Sequence, residues 1–197
     1  MQVHRRFSRK LALSVKNGAV GVLPTDTIYG LVGSALSKRV VARVYELKKR
    51  SARKPLILLI SSLKDLGLFK IKLDRKTARV LKRVWPGQLS VLLPVSGKRF
   101  FYIHRGTERI AFRLPAKVGL RKFLKKTGPL IATSANWEGY PLARNIREAK
   151  DYFGEKADFY FDGGTLNSAH STLIAVQDGR VRIMRRGAGK VKESVIN

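Results

Sequence analysis

Between Pro24 and Gly30 the chain reads Pro24-Thr25-Asp26-Thr27-Ile28-Tyr29-Gly30, crowding hydroxyls, a carboxylate and a phenol just beyond the apolar run Ala19-Val20-Gly21-Val22-Leu23. Polar side chains at the end of a buried strand are what an α/β protein uses to hold a small polar ligand at the open rim of its sheet. The same residues also suit a turn satisfied internally, with Asp26 capping a backbone amide. Three more clusters follow core-like segments. Lys48 and Arg50 stand in a run of five cations between residues 48 and 54 that contains no acid. It reads either as charge complementing a helix C-terminus or as a phosphate site. Ser134-Ala135-Asn136 follows Pro129-Leu130-Ile131-Ala132 and is either an Asx turn or a ligand loop. Ser171-Thr172 and Arg185 complete the set. Arg109 and Arg113 are four apart in an alternating stretch, so they share one face of a strand, turned either to solvent or toward a ligand. Gathered at one sheet edge, these hydroxyls, an amide and several cations would suit a nucleotide together with a small acid.

Other chemistries are not written in this chain. It has neither a Gly-x-x-x-x-Gly-Lys-Ser/Thr loop nor Gly-x-Gly-x-x-Gly. His4, His104 and His170 lack metal-ligand spacing, and His170, although it precedes Ser171, is expected at the surface. No protein-bound metal is expected; a Mg²⁺ ion would ride on substrate phosphates. Cysteine is absent, which excludes disulfides and thiolate sites and is compatible with a reducing compartment. The charge is the dominant compositional feature: 41 Lys and Arg against 13 Asp and Glu, a net +28. Such a chain attracts phosphate polyanions and loses that attraction as salt rises; RNA, DNA or an anionic membrane would all satisfy it. No run approaches the roughly 20 apolar residues of a membrane span, and no signal-peptide core follows the basic first residues. A cytoplasmic protein without a membrane partner is therefore expected.

The elements that must carry these residues alternate. A helix is predicted over 7–17, stopped by Gly18; a second runs from the N-cap Ser37 to about Lys49, with Val40, Val41, Val44, Tyr45 and Leu47 inward. Leu56–Ile60 reads as a strand, Ser62 and Asp65 as a short capped helix, and Asp74–Val84 as a helix with Ala78 and Leu81 inward, broken by Trp85-Pro86-Gly87. Leu89–Val95 is strand-like, residues 96–108 a basic loop, and Arg109–Leu114 a half-buried strand. A basic helix around Leu120, Phe123 and Leu124 ends at Gly128. Strand 129–132, a helix over 145–153, strand 159–161 and a terminal hairpin turning at Asp178-Gly179 follow. This alternation predicts a single α/β domain over 1–197 with a mixed sheet, residues 188–197 forming a tail.

Taken in order, Pro24-Thr25-Asp26-Thr27-x-Tyr29-Gly30, Lys48-x-Arg50, Trp85-Pro86-Gly87, Arg113-Leu114-Pro115, Ser134-Ala135-Asn136, Ser171-Thr172 and Arg185-x-Gly187 resemble the YrdC/TsaC family of threonylcarbamoyl-AMP synthases, in its short bacterial form. The resemblance implies a large twisted mixed parallel/antiparallel sheet flanked by helices, with a basic concave face. It implies synthesis of threonylcarbamoyl-AMP and pyrophosphate from L-threonine, bicarbonate and ATP, with Mg²⁺ carried by the nucleotide. The product would feed a separate transferase complex that modifies position 37 of tRNA. By position, Thr27, Arg113, Ala132 and Ser171 resemble threonine ligands. Arg50, Lys54, Arg109, Ser134, Asn136 and Arg185 resemble ATP contacts, Lys48 and Arg50 the catalytic pair, and Asp26 and Tyr29 the residues that orient the loop. Three positions depart from the family: Ser51 replaces a proline, Leu59 stands where longer relatives carry a threonine-binding His, and Leu142 where many have Ser. The additional C-terminal domain of longer members is not expected. The rival expectations are a non-catalytic double-stranded RNA-, tRNA- or rRNA-binding maturation factor, and a carbamoyl-adenylate domain of hydrogenase maturation.

Overall fold

A computed structural model describes residues 2–51, 55–95 and 97–192. Its strands are β1 (Gln2–His4), β2 (Gly21–Pro24), β3 (Tyr29–Ser34), β4 (Ile57–Leu59), β5 (Leu89–Pro94), β6 (Arg109–Arg113), β7 (Leu130–Ser134), β8 (Phe159–Phe161), β9 (Thr172–Gln177) and β10 (Arg180–Arg185). The α-helices are α1 (Arg9–Lys16), α2 (Lys38–Leu47), α3 (Arg75–Val84), α4 (Phe101–His104), α5 (Val118–Thr127) and α6 (Ile146–Phe153). All ten strands form one sheet in the order β1-β8-β2-β3-β7-β4-β6-β5-β9-β10. It is mixed: β8 runs parallel to β1 and β2, β4 to β6 and β5 to β9, while the remaining neighbours are antiparallel.

Capping side chains set the helix starts, as their residue types dictate. Ser8, Ser37, Asp74 and Asn145 each accept a hydrogen bond from a backbone amide of the following first turn. Ser62 and Asp65 form a reciprocal capping box at the 3₁₀ helix Leu63–Phe69. The structure also departs from the pattern reading. Segment 98–104 is helical rather than loop. In α3 the buried stripe is Thr77, Val80, Leu81 and Val84, while Ala78 is only half-buried. Strands β1 and β3 were not expected from the residue pattern.

Two hydrophobic clusters show where the sheet is covered. The larger takes Leu31, Leu58, Val91, Phe112, Ile131 and Ile174 from one face together with α2, α3 and α6. The smaller takes the alternate residues of β2, β3, β4, β7 and β8 (Leu23, Val32, Leu59, Leu130, Ala132, Phe159 and Phe161) with α1 and α5. Those two helices therefore cover one end of the second face. Beyond β4 the same face carries Ala111, Arg113, Leu92 and Leu173, which line a cavity instead. The site lies where helix packing on that face stops. No helix among the described residues is long and apolar enough to cross a membrane.

Candidate functional site

The β2–β3 hairpin closes through a short loop held by its own hydroxyls. Thr25 N–H and Thr25 Oγ1 both donate to Ile28 O, at 3.1 and 2.7 Å, and Thr27 N–H donates to Thr25 Oγ1 at 3.1 Å. Both threonines are buried. Thr27 Oγ1 accepts a hydrogen bond from Arg113 Nη1 at 3.0 Å, and Arg113 Nη2 lies 3.3 Å from Asp26 Oδ1. The other carboxylate oxygen of Asp26 accepts from Ala116 N–H at 2.8 Å. Asp26 thus caps an amide and anchors an arginine at once. Arg113 is only 4% exposed, and its Nε has no hydrogen-bond partner. Burial pushes its ionisation downward, Asp26 opposes this, and Arg185 adds to it.

Trp85-Pro86-Gly87, whose Trp85–Pro86 bond is cis, joins the pieces. Gly87 N–H donates to Leu114 O at 2.9 Å, Gln88 Nε2 donates to Asp26 O, and Gln88 O accepts from Thr172 N–H at 3.2 Å. Ser90 Oγ and Ser171 Oγ are 2.8 Å apart and buried. Gly87, Gln88 and Ser90 thus tie their own segment to three others distant in sequence.

Arg185 reaches the same space through a register shift. Ile183 pairs with Ile174, but Arg185 rather than Met184 pairs with Leu173. A β-bulge of this kind adds one residue and re-aims the side chains after it. Regular alternation would put Arg185 on the opposite face; the bulge brings it beside Leu173 on the cavity side, where its Nη2 donates to Ser171 O at 2.9 Å.

The cavity has a volume of about 360 Å³. Its polar lining is Thr25, Thr27, Arg50, Arg113, Thr133, Ser134, His170, Ser171 and Arg185, over an apolar floor that includes Ile57, Leu59, Leu92 and Ala111. Gly30, Ala132 and Ala111, small residues on β3, β7 and β6, leave the space open. Several hundred cubic ångströms, mostly apolar with a few converging cations and hydroxyls, is the form of a small-molecule site.

Lys48 stands behind this wall, not on it. Its ammonium, 2% exposed, donates at 2.8 Å to both Ser134 O and Ser134 Oγ, and also to Asn136 Oδ1. Three donors meet three acceptors. Burial, followed by the charge of Arg50, pushes its pKa down to about 7 against the pull of Glu138. Asn136 spends its amide on Tyr140 O. Glu138 accepts from Ser51 N–H at 3.0 Å, and its other oxygen lies 3.6 Å from Arg50 Nη1. The cationic run therefore has an acidic partner from another loop, which its own sequence does not contain.

Comparison with known proteins identifies the scaffold. The Sua5/YciO/YrdC family model, described as telomere recombination, matches residues 14–187. The chain belongs to the Sua5/YciO/YrdC family. It is 32% identical over 182 residues to the threonylcarbamoyl-AMP synthase of Pyrococcus abyssi, covering 91% of this chain and 53% of that protein. It is also 32% identical over 152 residues to the threonylcarbamoyl-AMP synthase of Cellvibrio japonicus, covering 76% and 79%. A crystal structure of P. abyssi Sua5 complexed with L-threonine superposes with a TM-score of 0.85 at 29% identity, over 94% of this chain and 57% of that one. The chain spans about half the length of the P. abyssi protein.

On this Sua5/YciO/YrdC scaffold the residues singled out from the sequence fall into three groups. Thr27, Arg50, Arg113, Ala132, Ser134, Ser171 and Arg185 line one cavity. Asp26, Lys48 and Asn136 support that wall from behind through the bonds above. Tyr29 and Arg109 lie elsewhere. The Tyr29 phenol is fully buried in the larger core, donating to Gly164 O at 2.7 Å and accepting from Gly163 N–H at 2.9 Å, so it orients the 163–164 turn. Arg109 is exposed and lines a neighbouring hollow that shares Leu92 with the cavity. Lys54 lies outside the described residues. Thr172 is spent on the tail: its Oγ1 donates to Gly189 O at 2.6 Å and accepts from Gly187 N–H at 2.9 Å. Sequence reasoning missed the cavity role of Thr133 and misplaced His170, which is half-buried in the lining. The available signal was adjacency, since each borders a residue already chosen.

Proposed function

We propose that this protein is an L-threonylcarbamoyladenylate synthase, converting L-threonine, bicarbonate and ATP to threonylcarbamoyl-AMP and pyrophosphate. The observation that carries the reading is the single cavity into which Thr27, Arg113 and Ser171 converge with Arg50, Ser134 and Arg185. The first three suit an amino acid: a buried guanidinium for its carboxylate, and hydroxyls for its polar groups. The second three suit a nucleotide's phosphates. The threonine-bound Sua5 relative and the names of the curated relatives support both halves.

The chemistry follows from that lining. The threonine amine takes up carbon from bicarbonate as a carbamate; a carbamate oxygen attacks the α-phosphorus, and the bond to pyrophosphate breaks. Negative charge grows on phosphate oxygens, so preorganised cations in a space that excludes water do most of the work. Arg50 and Arg185 face that charge, with Ser134 held in place by Lys48. Among the described residues no group of three or more His, Asp or Glu side chains is arranged to hold a metal ion. Asp26, beside the cavity, is committed to Arg113 and Ala116, and Glu138 to Arg50 and Ser51. Mg²⁺ would come to such a site bound to the nucleotide's phosphates and leave with pyrophosphate. The product is a mixed anhydride suited to a transferase acting on tRNA, and the cationic surface suits contact with that RNA in a cytoplasmic setting.

The deciding experiment incubates the protein with ATP, Mg²⁺ and bicarbonate, with and without threonine. Threonine-dependent pyrophosphate release is expected. Release that ignores threonine, or RNA binding with no release, would leave the RNA-binding maturation factor as the reading.

A further inference from the structure

His170 lines the cavity that the two proposed subsites share. It directly precedes Ser171, whose carbonyl accepts from Arg185, and the described structure assigns its ring no hydrogen-bond partner. Its backbone is clamped: His170 O accepts from Ala188 N–H at 2.8 Å, and a Cβ on Gly187 would sit 2.1 Å from that oxygen. The backbone that carries this side chain is thus fixed at the cavity wall. The charged groups that bear on it are Arg185 from β10, Lys48 from the end of α2 and Arg113 from β6.

We propose that His170 is a catalytic base that takes the proton released when the threonine ammonium becomes a carbamate. This rests on the synthase reading above. The step requires such a group. An ammonium has no lone pair, so one proton must leave before nitrogen can attack carbon. With bicarbonate the balance is RNH₃⁺ + HCO₃⁻ → RNHCOO⁻ + H₂O + H⁺. One N–H proton goes to the imidazole and the nitrogen lone pair forms the N–C bond. The C–OH bond then breaks, and the departing hydroxide leaves as water with a second N–H proton. The imidazolium returns its proton to solvent after pyrophosphate departs.

No other cavity side chain offers a comparable acceptor. Arg50, Arg113 and Arg185 are permanent cations, the hydroxyls of Thr25, Thr27, Thr133, Ser134 and Ser171 are too weakly basic, and Asp26 is spent on Ala116 and Arg113. Burial, then Arg185, Lys48 and Arg113, push the His170 pKa below its ordinary 6.5, so the ring is neutral and able to accept at pH 7. The same cations make the threonine ammonium easier to deprotonate. A bound triphosphate offsets them and strengthens the imidazole as a base only once the nucleotide is present.

The test compares wild type with His170→Ala and His170→Gln, following threonine-dependent pyrophosphate release from pH 5.5 to 9.5 at saturating ATP, Mg²⁺ and bicarbonate. The wild-type rate should hold at neutral pH and fall only on the acid side. Both variants should lose on the order of 10²–10⁴-fold in kcat at pH 7, with threonine KM little changed. Their rate should instead climb with pH as threonine's own ammonium titrates, and imidazole should restore part of the rate to His170→Ala. Variants with the wild-type acid limb, or a loss confined to KM, would overturn the assignment. So would a wild-type acid limb above about pH 7.5, which needs no variant to fold. A wild type that releases no threonine-dependent pyrophosphate would overturn the synthase reading itself, and this inference with it.

Discussion

Arg113 enters the cavity almost wholly shielded from water, and its charge is tolerated because Asp26 and Thr27 meet it from the hairpin loop. Its orientation is therefore inherited from a loop that is distant in sequence, Asp26 and Ala116 being 90 residues apart, but adjacent in space through the Asp26–Ala116 bond. Arg113→Lys keeps the charge but not the fork that spans both partners. Threonine KM is expected to rise at least tenfold, read from pyrophosphate release against threonine concentration, while ATP KM moves little. Lys48 is the opposite case, a buried cation whose value is structural. Its folded pKa of about 7 lies below its ordinary 10.5, so between those values the unfolded chain holds a proton that the folded one does not. Stability contributed by this group is fully present above 10.5 and is lost as pH falls toward 7. In urea denaturation, wild type should gain roughly 2–3 kcal/mol over Lys48→Met between pH 7 and pH 9. A difference independent of pH would contradict the buried, titrating ammonium. At this scale the sequence was informative about residue identity and less so about role. The Ser-x-Asn and Lys-x-Arg residues do meet, but Lys48 and Asn136 bond to each other and to Ser134, because only folding brings a donor with three hydrogens against three acceptors.

Among the elements, those legible beforehand carry strong local punctuation: Ser37 before α2, Asp74 before α3, Asn145 before α6, and Asp178-Gly179 in the β9–β10 turn. Strand β3 was hidden by Gly30 and Gly33, which pattern reading takes for loop. Packing explains Gly33: a Cβ there would lie 2.4 Å from Val40 Cγ1, so α2 can seat on the strand only if the side chain is absent. Strand β1 spans only Gln2–His4 and depends on β8 for its pairing. Nor could any alternation rule foresee the β10 bulge, since its effect is to break alternation. That bulge makes a sharp prediction. Because the extra residue is Met184, the guanidinium it re-aims can be removed without touching the register: Arg185→Met keeps the backbone and the bulge. That variant is expected to fold, because β10 is an edge strand on which Arg185 is exposed, yet to lose at least tenfold in ATP affinity by calorimetric titration. Unchanged affinity with a native far-UV spectrum would show that Arg185 does not hold the nucleotide.

For the molecule as a whole, two features of the sequence bear on each other: its charge and the half-covered sheet. Helices α1 and α5 close one end of the second face and leave the other to the cavity and to the Arg109, Arg180 and Arg182 hollow beside it. The described ion pairs, Arg5–Asp162, Arg43–Asp158, Arg50–Glu138 and Arg113–Asp26, use acids that are scarce, since 13 Asp and Glu face 41 Lys and Arg. Even complete pairing would leave the net +28 in place. Bringing those charges from an extended chain into one compact body costs Coulomb energy, and that cost shrinks as the screening length falls from about 30 Å at 0.01 M salt to about 10 Å at 0.1 M. Tm should therefore rise with sodium chloride by roughly 3 °C or more between 0.01 and 0.3 M, where a chain of balanced charge would barely respond. Inorganic polyphosphate at low salt should raise it further, because a polyanion binds the folded charge density directly, and that additional gain should vanish as sodium chloride is added. A Tm indifferent to both would mean that the cations are spaced and solvated well enough to ignore one another, which would remove the electrostatic ground for an RNA partner while leaving the cavity chemistry untouched.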